Sequence, residues 1–215
     1  MINHRLKTIY IHIPKTGGTS IETTLCPRGN ELYGFEDQQG NYIKNADGLK
    51  MLADNKELRL TCLQHISADQ IKNRYNSNIW SDYYKFTVVR NPWDLLVSHY
   101  SYTIQTNRID ILERHNLNTE SKFKDYVKKV NLPLQVNYVT NNAGELIVDH
   151  VCRFENLQQD FDIVCNKIGI SRQQLPHKNA TKHKHYIEYY DYETREIVAE
   201  KCAKDIEYFD YTFGG

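Results

Sequence analysis

The chain has 215 residues, and its 27 Lys and Arg residues balance 27 Asp and Glu residues, so the formal net charge is zero. This balance argues against a nucleic-acid partner and against an anionic membrane surface, because no global field attracts either one. No run approaches the roughly 18 apolar residues of an integral membrane segment, and the length suits a single domain over 1–215.

The first predicted strand covers residues 7–13, in which isoleucines alternate with threonine, tyrosine and histidine. Alternation with a period of two in β-branched and aromatic residues is typical of a strand. The spacing of Ile21, Glu22 and Leu25 is typical of a helix. The sequence therefore predicts a strand, a loop over 14–20 and a helix in direct succession.

The loop 14–20 reads Pro-Lys-Thr-Gly-Gly-Thr-Ser. The N–H groups and the dipole at the start of a helix favour an anion, and each loop residue after the proline can add its charge, its backbone or its hydroxyl group. These candidate binding residues are Lys15, Thr16, Gly17, Gly18, Thr19 and Ser20. In the P-loop of nucleoside triphosphatases the lysine follows the last glycine, whereas here Lys15 precedes both glycines. The order predicts a shorter anion site that binds fewer phosphates.

After this loop and helix, residues 26–56 are rich in Gly, Asn, Asp and Gln and are predicted to be an irregular insertion that contributes to an acceptor region. Further strands are predicted over 58–64, 83–89 and 146–154, and further helices from Ser67, from Asn91, and over 121–130, 133–142, 156–168 and 191–209. Strand and helix alternate without an internal repeat. This order predicts an α/β fold, a three-layer, P-loop-like domain with a mainly parallel central sheet flanked by helices.

A second candidate anion site follows the strand over 83–89. Arg90 ends that strand, and Ser98 lies two turns into the next helix. A guanidinium group offers a planar fork to a phosphate, and a serine adds one hydroxyl donor. The structural alternative is an ion pair for Arg90 and a neutral helix position for Ser98. Two anion sites at two strand ends suit a ligand with two separated phosphates.

The loop 14–20 resembles the 5′-phosphosulfate loop of sulfotransferases. The segment 88–100, Val-Val-Arg-Asn-Pro-Trp-Asp-Leu-Leu-Val-Ser-His-Tyr, resembles their 3′-phosphate-binding stretch. The resemblance extends over 151–161 and 189–213, and it is to the family that contains heparan and chondroitin sulfotransferases and their bacterial relatives. It implies transfer of a sulfuryl group from 3′-phosphoadenosine 5′-phosphosulfate to a hydroxyl-bearing acceptor, a carbohydrate. No metal is expected, because the sulfonate carries a single charge that a lysine and backbone N–H groups can neutralise.

The same resemblance implies that Lys15 stabilises the oxygen that bridges sulfate and 5′-phosphate, and that residues 16–20 hold the 5′-phosphate. An acceptor hydroxyl also needs a base, and His65 is the candidate. It lies between the strand over 58–64 and the next helix, at the sheet edge where ligands bind, and an unperturbed histidine is neutral at cell pH. The resemblance also places a histidine base there. Glu22 in the first helix is the rival.

Two other function classes stay open at this level. A nucleotide or sugar kinase with a degenerate P-loop would need a magnesium-binding carboxylate at a strand end, for which Asp149 is the candidate. A non-catalytic binder of phosphorylated or sulfated ligands would keep the anion sites without turnover. The basic loop 177–185 either closes over a donor, binds an anionic acceptor or is simply solvated.

Five widely spaced cysteines, an odd number, do not match a disulfide framework or a zinc site, and they predict reduced thiols. The polar first residues lack the apolar core of a signal peptide. Together these features predict a cytoplasmic protein.

Overall fold

The computed structural model describes residues 1–3, 5–25, 35–36, 42–43, 65–74, 77–176 and 184–215. These residues form two compact units. The first takes its described residues from 1–89 and 137–176, the second from 90–136 and 184–215, and each has its own apolar core. The single domain over 1–215 stays a prediction.

The described residues contain six strands and ten α-helices. The strands are β1 (Ile2–Asn3), β2 (Thr8–Ile11), β3 (Phe35–Glu36), β4 (Tyr42–Ile43), β5 (Tyr84–Val89) and β6 (His150–Arg153). The helices are α1 (Gly18–Leu25), α2 (Ala68–Arg74), α3 (Ser77–Asp82), α4 (Pro92–Gln105), α5 (Ile109–Arg114), α6 (Phe123–Lys129), α7 (Val136–Val139), α8 (Leu157–Lys167), α9 (Tyr192–Lys201) and α10 (Ala203–Phe209).

The main sheet of the first unit has the strand order β1-β2-β5-β6. β1 is antiparallel to β2, whereas β2, β5 and β6 run parallel to one another. Every residue of β2 is buried, and so are all residues of β5 except the first. Strands that are buried on both faces read as continuous apolar runs, which is why the segment 83–89 predicted a central strand. The prediction of an α/β fold with a mainly parallel sheet flanked by helices is confirmed.

One face of this sheet packs against α1 and α8. Because side chains alternate along a strand, one set from the three parallel strands faces the same core. This core contains Tyr10, Phe86, Val88 and Cys152 from the strands, Ile21 and Leu25 from α1, and Phe161, Val164 and Cys165 from α8. The packing fixes α1, and therefore the loop that precedes it, at the carboxyl end of β2.

The core of the second unit is rich in aromatic residues. Trp93 at the start of α4 is 4% exposed, and its indole N–H donates to the carbonyl oxygen of Arg195 at 3.1 Å. The predicted cap of α4 is present, because Asn91 Oδ1 accepts the N–H of Trp93 and Pro92 is the first helical residue. This cap fixes the first turn of α4.

Local predictions were confirmed where a cap marks a boundary. Ser67 and Gln70 form the predicted reciprocal capping box before α2. The predicted helix over 156–168 is α8, and Gly169 follows it with φ of +73°. The predicted helix over 191–209 is instead divided into α9 and α10 at Cys202, whose φ of −109° and ψ of 18° leave the helical region. The predicted strand over 146–154 was too long, because the strand in the structure is limited to β6.

Several predictions fall on residues outside the described ranges. These are the strand over 58–64, residues 177–183 of the basic loop, and most of the insertion over 26–56, of which only the β3–β4 antiparallel pair is described. Among the described cysteines, Cys152, Cys165 and Cys202 are free thiols. No helix within the described ranges has the length and apolar character needed to cross a membrane.

Candidate active site

The loop 14–20 leaves the carboxyl end of β2 and leads directly into α1. Two internal hydrogen bonds stabilise the loop. The Thr16 hydroxyl donates to the carbonyl oxygen of Ile13 at 2.8 Å, and the N–H of Ser20 donates to Gly17 O at 3.0 Å. Thr16 is fully buried. Its hydroxyl therefore stabilises the loop in this structure.

Two loop residues have a left-handed backbone, Lys15 with φ of +68° and Gly17 with φ of +85°. For a lysine this conformation costs on the order of 1–2 kcal/mol, and such strain clusters at functional sites. The strained turn holds the lysine at the end of the strand, where its charge adds to the positive end of the α1 dipole.

The two glycines of the loop are required by close packing. A Cβ on Gly17 would lie 2.9 Å from Leu157 Cδ2, at the start of α8. A Cβ on Gly18 would overlap the imidazole ring of His12. Glycine at both positions thus lets the loop lie directly against α8 and against His12.

His12 and Glu22 form a buried pair behind the loop. Nδ1 of His12 lies 2.9 Å from Oε1 of Glu22, and the two residues are 5% and 3% exposed. Burial, followed by the negative charge of Glu22, raises the pKa of the neighbouring Tyr10 phenol well above its usual value. The carboxylate of the proposed rival base is therefore engaged with a histidine inside the protein.

His65 lies beside the residue that leads into the loop. Its Nδ1 atom is 3.0 Å from the carbonyl oxygen of His12, and the two imidazole rings meet edge to face with centroids 4.6 Å apart. Because a carbonyl oxygen can only accept a hydrogen bond, Nδ1 carries the proton in neutral His65 and Nε2 has the lone pair. Burial first, and the adjacent His12 second, lower the pKa of His65 to about 4. His65 is thus a neutral proton acceptor at physiological pH.

Arg90 and Ser98 belong to the second unit. Arg90, which directly follows β5, is 6% exposed, and its Nε donates to Asp94 Oδ2 at 2.8 Å. Ser98 is 4% exposed on α4. The ion pair that the sequence left open as an alternative is present, and it joins residues one helical turn apart. It orients the guanidinium group.

Asp149 and the loop lie at opposite ends of the parallel strands in the main sheet. It precedes β6, and because β6 runs parallel to β2, the amino end of β6 is remote from the carboxyl end of β2. Its carboxylate accepts the N–H of Lys85 at 2.7 Å and pairs with Nζ of the same lysine at 2.9 Å. This position does not supply the loop with the carboxylate that a kinase would need.

The sequence did not reveal that His12 and Glu22 form a pair. Their separation of ten residues across a strand, a loop and a helix follows no helical or strand period, although both flank the loop. Within the described ranges no three His, Cys, Asp or Glu side chains are grouped so that they could hold a metal ion.

Comparison with known proteins identifies relatives at several levels. The model of a family described as "Sulfotransferase family" matches residues 1–212. An uncharacterized protein of Archaeoglobus fulgidus is 30% identical over 106 residues, which cover 46% of this chain and 79% of that protein.

Two solved structures are similar at 12% sequence identity. The crystal structure of mouse sulfotransferase SULT7A1 complexed with PAP has a TM-score of 0.45, and the match covers 97% of this chain and 87% of that one. The structure of retinol dehydratase in complex with androsterone and inactive cofactor PAP has a TM-score of 0.46, with 99% and 84% covered.

Proposed function

The chain belongs to the sulfotransferase family, and from this premise we propose that it transfers a sulfuryl group from 3′-phosphoadenosine 5′-phosphosulfate to a carbohydrate hydroxyl. The observation that supports the proposal is the contact of His65 with His12, at the entry to the loop that bears Lys15 and two glycines. The carbohydrate acceptor is supported by the resemblance of the loop and the Arg90 segment to heparan and chondroitin sulfotransferases. The cytoplasmic location remains a prediction from the cysteine pattern.

The loop fits the 5′ end of such a donor. The first N–H groups of α1 have no acceptor within the helix, and Lys15 adds a positive charge in the same turn. We assign the backbone N–H groups of Gly17, Gly18 and Thr19, with the hydroxyls of Thr19 and Ser20, to the 5′-phosphate, since the N–H of Ser20 donates to Gly17 O. Thr16 contributes by holding the loop, since its hydroxyl is bound to Ile13 O.

The donor, when bound, supplies the sulfuryl group and a phosphate leaving group. Lys15 stabilises the negative charge that grows on the bridging oxygen as its bond to sulfur breaks. Arg90 and Ser98 bind the 3′-phosphate, for which the guanidinium fork is suited. These residues align the donor and neutralise charge, as in phosphoryl transfer, where the protein performs little covalent chemistry.

His65 accepts the proton of the acceptor hydroxyl at Nε2 while the oxygen forms its bond to sulfur. The products are a sulfate ester, adenosine 3′,5′-bisphosphate and one proton on His65. The lone pair on Nε2 and the neutral state of the ring support this role. Glu22 is less suited because its carboxylate is 3% exposed and bound to His12.

The test combines binding with product analysis. Calorimetry measures binding of adenosine 3′,5′-bisphosphate, and mass spectrometry detects sulfated products after incubation with donor and separate panels of glycans and tyrosyl peptides. We expect product binding, sulfated glycans and loss of transfer in Lys15→Ala but not in Lys72→Ala, a control on the exposed surface of α2. Failure of the wild type to bind the bisphosphate would contradict the proposal, and sulfation of peptides alone would overturn the carbohydrate acceptor.

A further inference from the structure

The backbone of Arg90 is held by the side chain of a single residue, Gln135. The N–H of Arg90 donates to Gln135 Oε1 at 2.8 Å, and Gln135 Nε2 donates to the carbonyl oxygen of Arg90 at 2.8 Å. Gln135 has no exposed surface. In a sheet, a neighbouring strand would make such a pair of bonds, but here an amide side chain makes both. Both backbone polar groups of Arg90 are thereby fixed where β5 ends.

Gln135 is in turn held by a buried carboxylate. Asp205 of α10 is 2% exposed, and its two oxygens accept the N–H groups of Gln135 at 2.8 Å and of Val136 at 2.9 Å. A carboxylate removed from water requires donors of this kind, because its desolvation is otherwise costly. Since both oxygens bind consecutive N–H groups, the backbone that carries the Gln135 side chain has a defined position.

The guanidinium group of Arg90 has a separate anchor. Its Nε donates to Asp94 at 2.8 Å, so Arg90 is restrained at its backbone by Gln135 and at its side chain by Asp94. An arginine fork recognises a phosphate by direction as well as by charge, and restraint before binding reduces the entropy that is lost on binding. Buried helper residues that fix such an arginine therefore add affinity for the group it recognises.

We propose that Gln135 and Asp205 are positioning residues that set Arg90 for the 3′-phosphate of the donor, and that they thereby determine the preference for nucleotides with that phosphate. The inference rests on the proposed function, in which Arg90 binds this group. Its structural basis is that both polar atoms of the Gln135 side chain bind Arg90, while Asp205 fixes the backbone of Gln135. Neither residue touches the nucleotide in this proposal.

The experiment compares two nucleotides that differ only in the 3′-phosphate. Calorimetry gives the affinities of adenosine 3′,5′-bisphosphate and adenosine 5′-monophosphate for the wild type, Gln135→Leu and Asp205→Asn. We expect Gln135→Leu to weaken bisphosphate binding about tenfold or more, the equivalent of one well-aligned hydrogen bond to a charged group, with less than about twofold change for the monophosphate. Asp205→Asn, which keeps the volume and one acceptor, should give a smaller effect in the same direction.

A double-variant cycle tests whether the effect passes through Arg90. Arg90→Ala should abolish most of the preference for the bisphosphate, and adding Gln135→Leu to it should cause no further loss. Tyr126→Phe is the matched control, because it removes hydrogen bonds to His99 and Thr103 in the same unit and leaves Gln135, Asp205 and Asp94 in place. It should leave the ratio of the two affinities at the wild-type value.

The outcomes separate the inference from the proposed function. A wild type without preference for the bisphosphate would overturn the role of Arg90 itself. A wild type with that preference, and folded Gln135 and Asp205 variants that keep it, would overturn only the inference. Equal weakening of both nucleotides would also overturn it, because that result indicates loss of structure. Asp205→Asn decides the matter if Gln135→Leu does not fold.

Discussion

The imidazole of His65 donates a hydrogen bond from Nδ1 to the backbone carbonyl of His12, over a distance of 3.0 Å. This one contact joins a residue that precedes α2 to the residue that leads from β2 into the loop 14–20. It leaves the lone pair of neutral His65 on Nε2, and it depends on the backbone of His12 instead of its side chain. The position of the proposed base is therefore set by the same turn that sets Lys15.

Replacement of His65 by alanine should remove turnover and spare donor binding. A general base contributes about 100-fold to 10,000-fold to the rate, so we expect a loss in kcat of at least about 100-fold. The affinity for adenosine 3′,5′-bisphosphate, measured by calorimetry, should stay near the wild-type value. His115→Ala, a histidine at the end of α5 in the other unit, is the control and should retain activity. A His65→Ala enzyme with wild-type kcat would exclude this histidine as the base.

Replacement of Glu22 by glutamine discriminates the two candidate bases. Glutamine keeps the volume and can still accept the hydrogen bond from His12 through Oε1, so kcat should fall by less than about tenfold, whereas a lost general base costs about 100-fold or more. Glu22→Ala leaves a buried histidine without this partner and should destabilise the protein by about 1–3 kcal/mol. Steady-state kinetics and urea unfolding measure the two effects. A kcat of Glu22→Gln as low as that of His65→Ala would favour Glu22 as the base.

The stability of the protein should depend on pH through His65. Its pKa is lowered from 6.5 to about 4, mainly by burial, so between these values the unfolded chain binds a proton that the folded chain does not. Stability from this group is complete above 6.5 and is lost as the pH falls toward 4. Urea unfolding of the wild type and of His65→Asn, each at about pH 7 and about pH 5, isolates the effect, because other groups cancel in the comparison. The wild type should lose more stability than the variant, and equal losses would contradict the lowered pKa.

Replacement of Gly17 by alanine should impair both stability and transfer. Gly17 and Gly144 have nearly equal positive φ values, +85° and +81°, but a Cβ on Gly17 would lie 2.9 Å from Leu157 whereas one on Gly144 has no neighbour within 4 Å. Both variants incur about 1–2 kcal/mol of backbone strain, and overpacking adds about 1–3 kcal/mol at Gly17 alone. Urea unfolding and a transfer assay measure the difference. Equal destabilisation of the two variants would contradict the prediction, because it would show that Leu157 can move away from a Cβ at position 17 without cost.

Much of the fold could be predicted from sequence because its signals are local. Alternating isoleucines predicted β2, a continuous apolar run predicted the central strand β5, and the Ser67 capping box and the Asn91–Pro92 start each marked a helix at the observed residue. The predictions failed where the sequence carries no local signal. β1 is a two-residue strand that exists only by pairing with β2, and Cys202 interrupts a helix whose apolar spacing continues through it.

The sequence by itself predicted the chemistry of the loop, because a lysine, two glycines and hydroxyl residues between a strand and a helix are a local pattern that favours an anion. It left an ion pair for Arg90 open as an alternative, and the structure shows that Asp94 is the partner. Only the tertiary structure decided that Glu22 binds His12, that the carbonyl of His12 fixes the tautomer of His65, and that Gln135 and Asp205 hold Arg90. These partners lie 10 to 70 residues apart in the chain, and such contacts are made by packing, which follows no sequence period.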